Sequence, residues 1–467
     1  MTRTLHSDES VYNMRYCIRV GIALCMMLGA CDHMSTVPPT PSDPRREVAR
    51  EQLMSSVDAS LIGVSLYPVD DIDQDGLQDV LVGFPFVSKN GLEESGVVMI
   101  LGRNLAPIGS PIYGEHKGAT LGWSIAADCD RDGDGTQDVM IGQPDVGTSA
   151  SGGAIAFVSA ARQAVISYCR PRDFVCLFGL GLASVSDFDG DHERDCAVVG
   201  VTSSSYRTSL GDVSVYSSQT GEMLWKGVPG KSIAPAERFP IKSIVSLSGW
   251  GNQPTVTDVL ALGAPSVSKV IVLSIRPKTF DVLTSFNGPN YSGFGKSLCE
   301  LQGSTATPNN NRLVAGLGSR GSVIMCSETS LGTSMRNIDV GDAENQLGSC
   351  VTECMDVDGD GAPDLVIGAP GPSSRQGYFG VEGLGRNGPT SRAPLPTGYV
   401  VIVSTSTGRV IRRFEGKDIW FGKAVAVLRN TKGALAPTLC VGAGSPQAPV
   451  IYMFELLSGR LLCRSQL

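Results

Sequence analysis

Residues 356–370 read DVDGDGAPDLVIGAP. Three signals share this stretch. Carboxylates alternate with small residues, glycine stands where a tight loop must reverse, and an apolar run follows that ends Gly-Ala-Pro. The apolar run has the length and β-branched content of a buried strand, and the flanking glycine and proline mark turns. The same stretch recurs as DIDQDGLQDVLVGFP at 71–85, DRDGDGTQDVMIGQP at 130–144 and DFDGDHERDCAVVG at 187–200.

Weaker copies lack the acidic loop. They run through Thr257–Pro265, from Phe294-Gly295 to Gly316, and from Phe421-Gly422 to Ala443. Aligned starts fall at Gly63, Gly122, Gly179, Pro240, Gly295, Gly348 and Gly422, at intervals of 53 to 74 residues. A second set of seven β-rich segments follows them: GVVMILG at 96, GAIAFVS at 153, GDVSVYS at 211, KVIVLSI at 269, GSVIMCS at 321, GYVVIVS at 398 and PVIYMFE at 449. Units of about 60 residues hold four short strands and their turns. The reading is an all-β, seven-bladed β-propeller over 57–467, with four antiparallel strands per blade. An open β-solenoid is the rival, but it would need capping units, and a closed ring hides its edges.

The four strong copies share D-x-D-x-D-x-x-x-D. Their carboxylates are Asp71, Asp73, Asp75 and Asp79; Asp130, Asp132, Asp134 and Asp138; Asp187, Asp189, Asp191 and Asp195; and Asp356, Asp358, Asp360 and Asp364. Crowded carboxylates repel unless a cation joins them, and hard oxygen ligands on a curled loop suit Ca²⁺. Position 7 offers a backbone carbonyl, at Leu77, Thr136, Glu193 and Ala362. Glycine at position 6 permits the turn in three loops. The third has His192 there, which raises its conformational cost. Three Ca²⁺ sites are expected and the Asp187–Asp195 loop is a fourth candidate. A solvated acidic turn is the alternative for any single loop. One Ca²⁺ per loop would offset the chain's formal charge of −8.

These motifs resemble the FG-GAP repeat family, the propeller of integrin α-subunits. Phe294-Gly295, Phe421-Gly422, Gly263-Ala264-Pro265 and Gly368-Ala369-Pro370 nearly spell the name. The resemblance implies that the Ca²⁺ loops join the first and second strands of a blade on one face, with ligands meeting the other. It names no partner.

The start of the chain reads as an address. Two arginines precede an apolar run, Val20 to Ala30, too short to span a bilayer but of signal-peptide length. The run ends Leu28-Gly29-Ala30-Cys31, which resembles a bacterial lipobox with Cys31 as the lipidated residue. Residues 1–30 are therefore expected to be a lipoprotein signal peptide, with Met14 an alternative start, and residues 31–56 a Pro/Ser/Thr-rich tether. The expected location is the cell envelope, lipid-anchored and extracytoplasmic.

The acidic balance argues against a nucleic-acid partner. Only four histidines occur and no CxxC pair does, which disfavours zinc. No nucleophile elbow or HExxH motif is present, so no enzyme is expected. The expected function is a binding or adhesion scaffold for a protein or glycan. A propeller enzyme and a structural subunit of an envelope complex are the alternatives. An insertion at 371–397 lies between the second and third strands, with Arg375, Tyr378, Phe379 and Arg386 as candidate contacts. Ten cysteines remain after Cys31. Spacing leaves their pairing open, and Cys196 and Cys440, inside apolar strands, read as buried thiols.

Overall fold

The computed structural model describes residues 65–145, 152–172, 176–201, 212–227, 241–248, 250, 258–276, 279–303, 312–318, 321–329, 332–340, 345–371, 398–431, 436–445 and 448–466. The leader, Cys31, the tether, the starts at Gly63 and Pro240, and the insertion contacts Arg375, Tyr378, Phe379 and Arg386 lie outside these residues.

Among the described residues the chain forms 28 strands in seven four-stranded antiparallel sheets. The first holds β1 (Ser65–Val69), β2 (Asp79–Phe84), β3 (Val97–Leu101) and β4 (Pro107–Tyr113). The second holds β5 (Ile125–Ala127), β6 (Val139–Gln143), β7 (Ala154–Ser159) and β8 (Ala164–Cys169). The third holds β9 (Cys176–Val185), β10 (Asp195–Val201), β11 (Asp212–Tyr216) and β12 (Met223–Gly227). The fourth holds β13 (Ser243–Leu247), β14 (Asp258–Ala264), β15 (Lys269–Arg276) and β16 (Thr279–Asn287). The fifth holds β17 (Leu298–Leu301), β18 (Arg312–Gly316), β19 (Ser322–Thr329) and β20 (Gly332–Asp339). The sixth holds β21 (Cys350–Cys354), β22 (Asp364–Ala369), β23 (Tyr399–Val403) and β24 (Val410–Glu415). The seventh holds β25 (Ala424–Leu428), β26 (Thr438–Ser445), β27 (Ala448–Glu455) and β28 (Leu461–Gln466).

Each blade is one contiguous stretch of chain. Its first strand contacts the first strand of each neighbour, and β1 contacts β25, so the ring closes. This removes the solenoid alternative. The seven β-rich segments of the second set become the third strands of the blades, and the described starts Gly122, Gly179, Gly295, Gly348 and Gly422 lie just before or within first strands. Their composition follows their place. Middle strands such as β2, β7 and β23 are covered on both faces by neighbouring blades, and so read as unbroken apolar runs. The outermost strands β4 and β24 are mostly exposed or half-buried and admit polar residues. Seven apolar clusters fill the ring, and the one that closes it joins Val80, Val82 and Leu101 to Ala426, Cys440 and Met453.

The Phe-Gly and Gly-Ala-Pro signals meet at the blade interfaces. A side chain added at Gly142, Gly263, Gly316 or Gly368 would place its Cβ 1.9–2.2 Å from the carbonyl oxygen of Gly179 near the start of β9, or of Gly295, Gly348 or Gly422 in the following connection. The two glycines of the motif are therefore a contact pair between neighbours. The partner glycines have φ of +87° to +97°, which an L side chain rarely adopts. A recurrent hydroxyl ties each pair. Ser65, Ser124, Ser243 and Ser297 donate from Oγ to the carbonyls of Gly122, Gly179, Gly295 and Gly348 at 2.7–2.9 Å. Cys350 does the same to Gly422 at 3.1 Å. The aromatic partner in the motif is a plug: Phe178, Phe294 and Phe421 are fully buried, and Leu121 and Leu347 replace it in two blades.

The nine cysteines whose side chains are described are free thiols, with Cys196 and Cys440 fully buried as expected. Cys350 and Cys354 share one strand. Four residues of extended chain separate their Cα atoms by roughly 13 Å, beyond the reach of a disulfide.

Candidate metal loops

Each acidic segment connects the first and second strands of its blade: β1 to β2, β5 to β6, β9 to β10, and β21 to β22. The loops therefore share one face of the ring. All four fold by the same local bonds. The N–H at position 6 donates to the carboxylate at position 1, from Gly76 to Asp71 (3.0 Å), Gly135 to Asp130 (2.8 Å), His192 to Asp187 (2.9 Å) and Gly361 to Asp356 (2.7 Å). The N–H at position 7 donates to the carboxylate at position 5, from Leu77, Thr136, Glu193 and Ala362 at 2.8–2.9 Å. The N–H at position 2 donates to the closing carboxylate, from Ile72, Arg131, Phe188 and Val357 to Asp79, Asp138, Asp195 and Asp364 at 2.7–2.8 Å.

His192 answers the question left open for the third loop. It adopts φ +73°, beside +97° at Gly76, +88° at Gly135 and +86° at Gly361. The histidine takes the left-handed turn and keeps the loop's hydrogen bond. Such a conformation costs a non-glycine residue about 1 kcal/mol.

Carboxylate oxygens of Asp71, Asp73 and Asp79 lie within 4.8 Å of one another, as do those of Asp130, Asp132 and Asp138, of Asp187, Asp189 and Asp195, and of Asp356, Asp358 and Asp360. Asp75, Asp134, Asp191 and Asp364 belong to the same loops but not to these tightest triplets. The closing aspartate is buried in every loop. Oδ2 of Asp79, Asp138 and Asp364 accepts backbone N–H, whereas their Oδ1 is buried with no hydrogen-bond partner. A buried carboxylate oxygen left in this way is costly unless something positive meets it. In the third loop Asp195 Oδ1 accepts from Ser218 N at 3.2 Å, and the unpartnered oxygen is Oδ2 of Asp191.

The electrostatics agree. Burial pushes Asp79 up to about 7, with Asp73 and Asp75 adding to the rise and the Ile72 N–H opposing it. Burial likewise raises Asp138, Asp195 and Asp364 to about 6, reinforced by the carboxylates of their own loops. Each loop thus favours a proton or a cation. The donor set is wholly hard oxygen, which fits Ca²⁺.

The turn between third and fourth strands roofs each loop. Ser159 and Ser404 donate to Asp134 and Asp360 at 3.2 and 3.4 Å. In the first blade Gly102 stands against the loop, where a Cβ would lie 2.9 Å from Asp73 Oδ2 and 3.7 Å from Asp79 Oδ1. The second loop has a resident cation: Arg162 approaches Asp132 at 3.2 Å and Asp134 at 3.9 Å, though its side chain is 60% exposed.

Sequence reasoning missed the contacts between neighbours on this face. Gln137 N donates to Asp70, Ser186 N to Asp258, Ser248 N to Glu300, and Gln302 N to Glu353 at 2.6–3.1 Å. Arg429 N donates to Gln78 Oε1 at 3.0 Å, and Thr431 Oγ1 to Asp71 at 3.0 Å, where the last blade meets the first. Gln78, Glu300, Glu353 and Arg429 also line a polar cavity of about 300 Å³, together with Tyr67. The only sequence signal was an acid or amide near each strand end.

Residues 354–386 match the family model of the FG-GAP repeat. That segment contains the sixth-blade loop and β22. The match and the ring of seven four-stranded blades fit an integrin α-like propeller. No curated protein matches the chain.

Proposed function

We propose that this FG-GAP-type propeller is a calcium-stabilised binding scaffold, anchored to a membrane of the cell envelope through a lipid on Cys31. FG-GAP propellers are typically non-enzymatic, and the fold suits a binding role. The observation that carries the calcium reading is the buried, unpartnered Oδ1 of Asp79, Asp138 and Asp364, whose pKa burial raises and the other carboxylates of the same loop raise further. Ca²⁺ held there bridges first and second strands, binds only the folded chain, and so stabilises it by mass action. Its ligands in this reading are the sixteen aspartates named above, with the backbone carbonyls of Leu77, Thr136, Glu193 and Ala362.

Partner binding, in this reading, belongs to the other face, where the second-to-third-strand connections emerge on a rigid ring. A protein or glycan is the partner. Two measurements test the proposal. Chelation is expected to lower the melting temperature and added Ca²⁺ to restore it. An unchanged melting curve would refute structural calcium. Capture from envelope extract, with and without Ca²⁺, tests the scaffold role, and failure to retain any specific partner in both conditions rules against it.

A further inference from the structure

Position 2 of the acidic loop is apolar in three blades: Ile72, Phe188 and Val357 pack into the apolar clusters beside them. The second blade has Arg131 there instead, with a side chain only 7% exposed. A buried guanidinium needs several acceptors. Arg131 finds them across the interface with the third blade. Nη1 lies 3.2 Å from the Glu193 carboxylate and donates to Ser218 Oγ at 3.1 Å. Nη2 donates to the backbone carbonyl of Arg194 at 3.3 Å. Nε donates to Asp128 at 2.9 Å, and the guanidinium carbon sits 4.0 Å from the centre of the Phe157 ring.

The two ends of this residue touch two different loops. Its N–H holds Asp138, the closing carboxylate of the second loop, at 2.7 Å. Its guanidinium holds Glu193 and Arg194, positions 7 and 8 of the third loop. It also holds Ser218, whose own N–H fixes the third loop's closing carboxylate Asp195 at 3.2 Å. The third loop is the one that bears His192 at positive φ. It has the most to gain from bracing at the side.

We infer that Arg131 is a positioning residue that couples the second and third loops, so that filling either favours filling the other. The inference rests on the calcium reading above. A cation in the second loop fixes Asp138 and with it the Arg131 backbone, and this holds the guanidinium where it sets the third loop's carbonyls and Asp195. Coupling between binding sites is reciprocal, so occupancy of the third loop strengthens the second by the same factor.

The test follows calcium binding loop by loop in the full chain. The amide resonances of Gly135 and His192 report the second and third loops through their bonds to Asp130 and Asp187. Emptying the second loop with Asp130→Asn and Asp132→Asn is expected to raise the Ca²⁺ midpoint at His192 by about fivefold or more, the lower end of usual coupling. In an Arg131→Lys background the same emptying is expected to change nothing, which a double-mutant cycle quantifies. Lysine keeps the charge but lacks the fork, so a purely electrostatic effect would survive it. The inference is overturned if the His192 midpoint ignores the second loop, or if the coupling persists in Arg131→Lys. If neither amide responds to Ca²⁺ in the folded protein, the calcium reading falls first and the coupling with it. Independent filling of both loops removes the coupling alone.

Discussion

Replacing Gly368 by alanine tests whether the glycine pair sets the spacing between blades. Gly368 has an ordinary strand φ, so the backbone accepts alanine and the cost is steric. The new Cβ would lie 2.1 Å from Gly422 O, 3.1 Å from Gly422 C and 2.4 Å from Cys350 Sγ. An ordinary contact to that oxygen is more than 1 Å longer, and the oxygen belongs to a backbone tied at both ends. Gly422 N donates to Gly442 O at 3.1 Å, and Gly422 O accepts from Cys350 Sγ. The sixth and seventh blades must therefore separate. Overpacking of this kind costs about 1–3 kcal/mol and sometimes more. Alanine returns about 0.4–1 kcal/mol by restricting the unfolded chain, so with the steric cost against fixed backbone at the top of its range a net loss of about 2 kcal/mol is expected. With an unfolding entropy of about 2.1 cal/mol/K per residue over the roughly 310 described residues, that lowers the melting temperature by about 3 °C for two-state unfolding. Scanning calorimetry at fixed Ca²⁺ reads the shift. A Gly368→Ala protein that melts no lower than native would refute the argument that these glycines are spacers.

Gly102→Val should crowd Asp73 and Asp79 and weaken Ca²⁺ binding at the first loop alone, seen as loss of one equivalent in calorimetric titration. Burial lowers the buried Lys423 to about 7, and its ammonium has the Gly444 carbonyl at 2.6 Å. Because its folded pKa lies below the unfolded one, the unfolded chain binds the extra proton between about pH 7 and 10, and stability should rise with pH across that window. Lys423→Met should remove that part of the slope in urea titrations, and an identical slope would contradict it. Cys350→Ser should keep the bond to Gly422 and leave the melting temperature within about 1 °C of native, as expected of a shared role with Ser65 and Ser297.

The strands were legible because β2, β7 and β23 are buried on both faces, which leaves a continuous apolar signature. The acidic loops were legible because their ligands sit within nine consecutive residues and fold through bonds of short sequence range. The contacts that join neighbours were not. Arg131 meets Glu193 and Ser218 only because the ring brings two blades together, and nothing in DRDGDGTQD separates it from a solvated arginine. The serine that ties each glycine pair was hidden for the same reason, since a lone Ser before a strand is commonplace. His192 shows the opposite case. The residue type argued against the turn, and the surrounding bonds imposed it.

Among the described residues the first and last blades share no strand. They meet through Gln78, Arg429 and Thr431 and through an apolar cluster like those at the other interfaces. Each connection between blades is then equivalent to the seam. Circular permutation should be tolerated with new termini opened in such connections, and a single blade becomes a unit that duplication can copy without unravelling its neighbours.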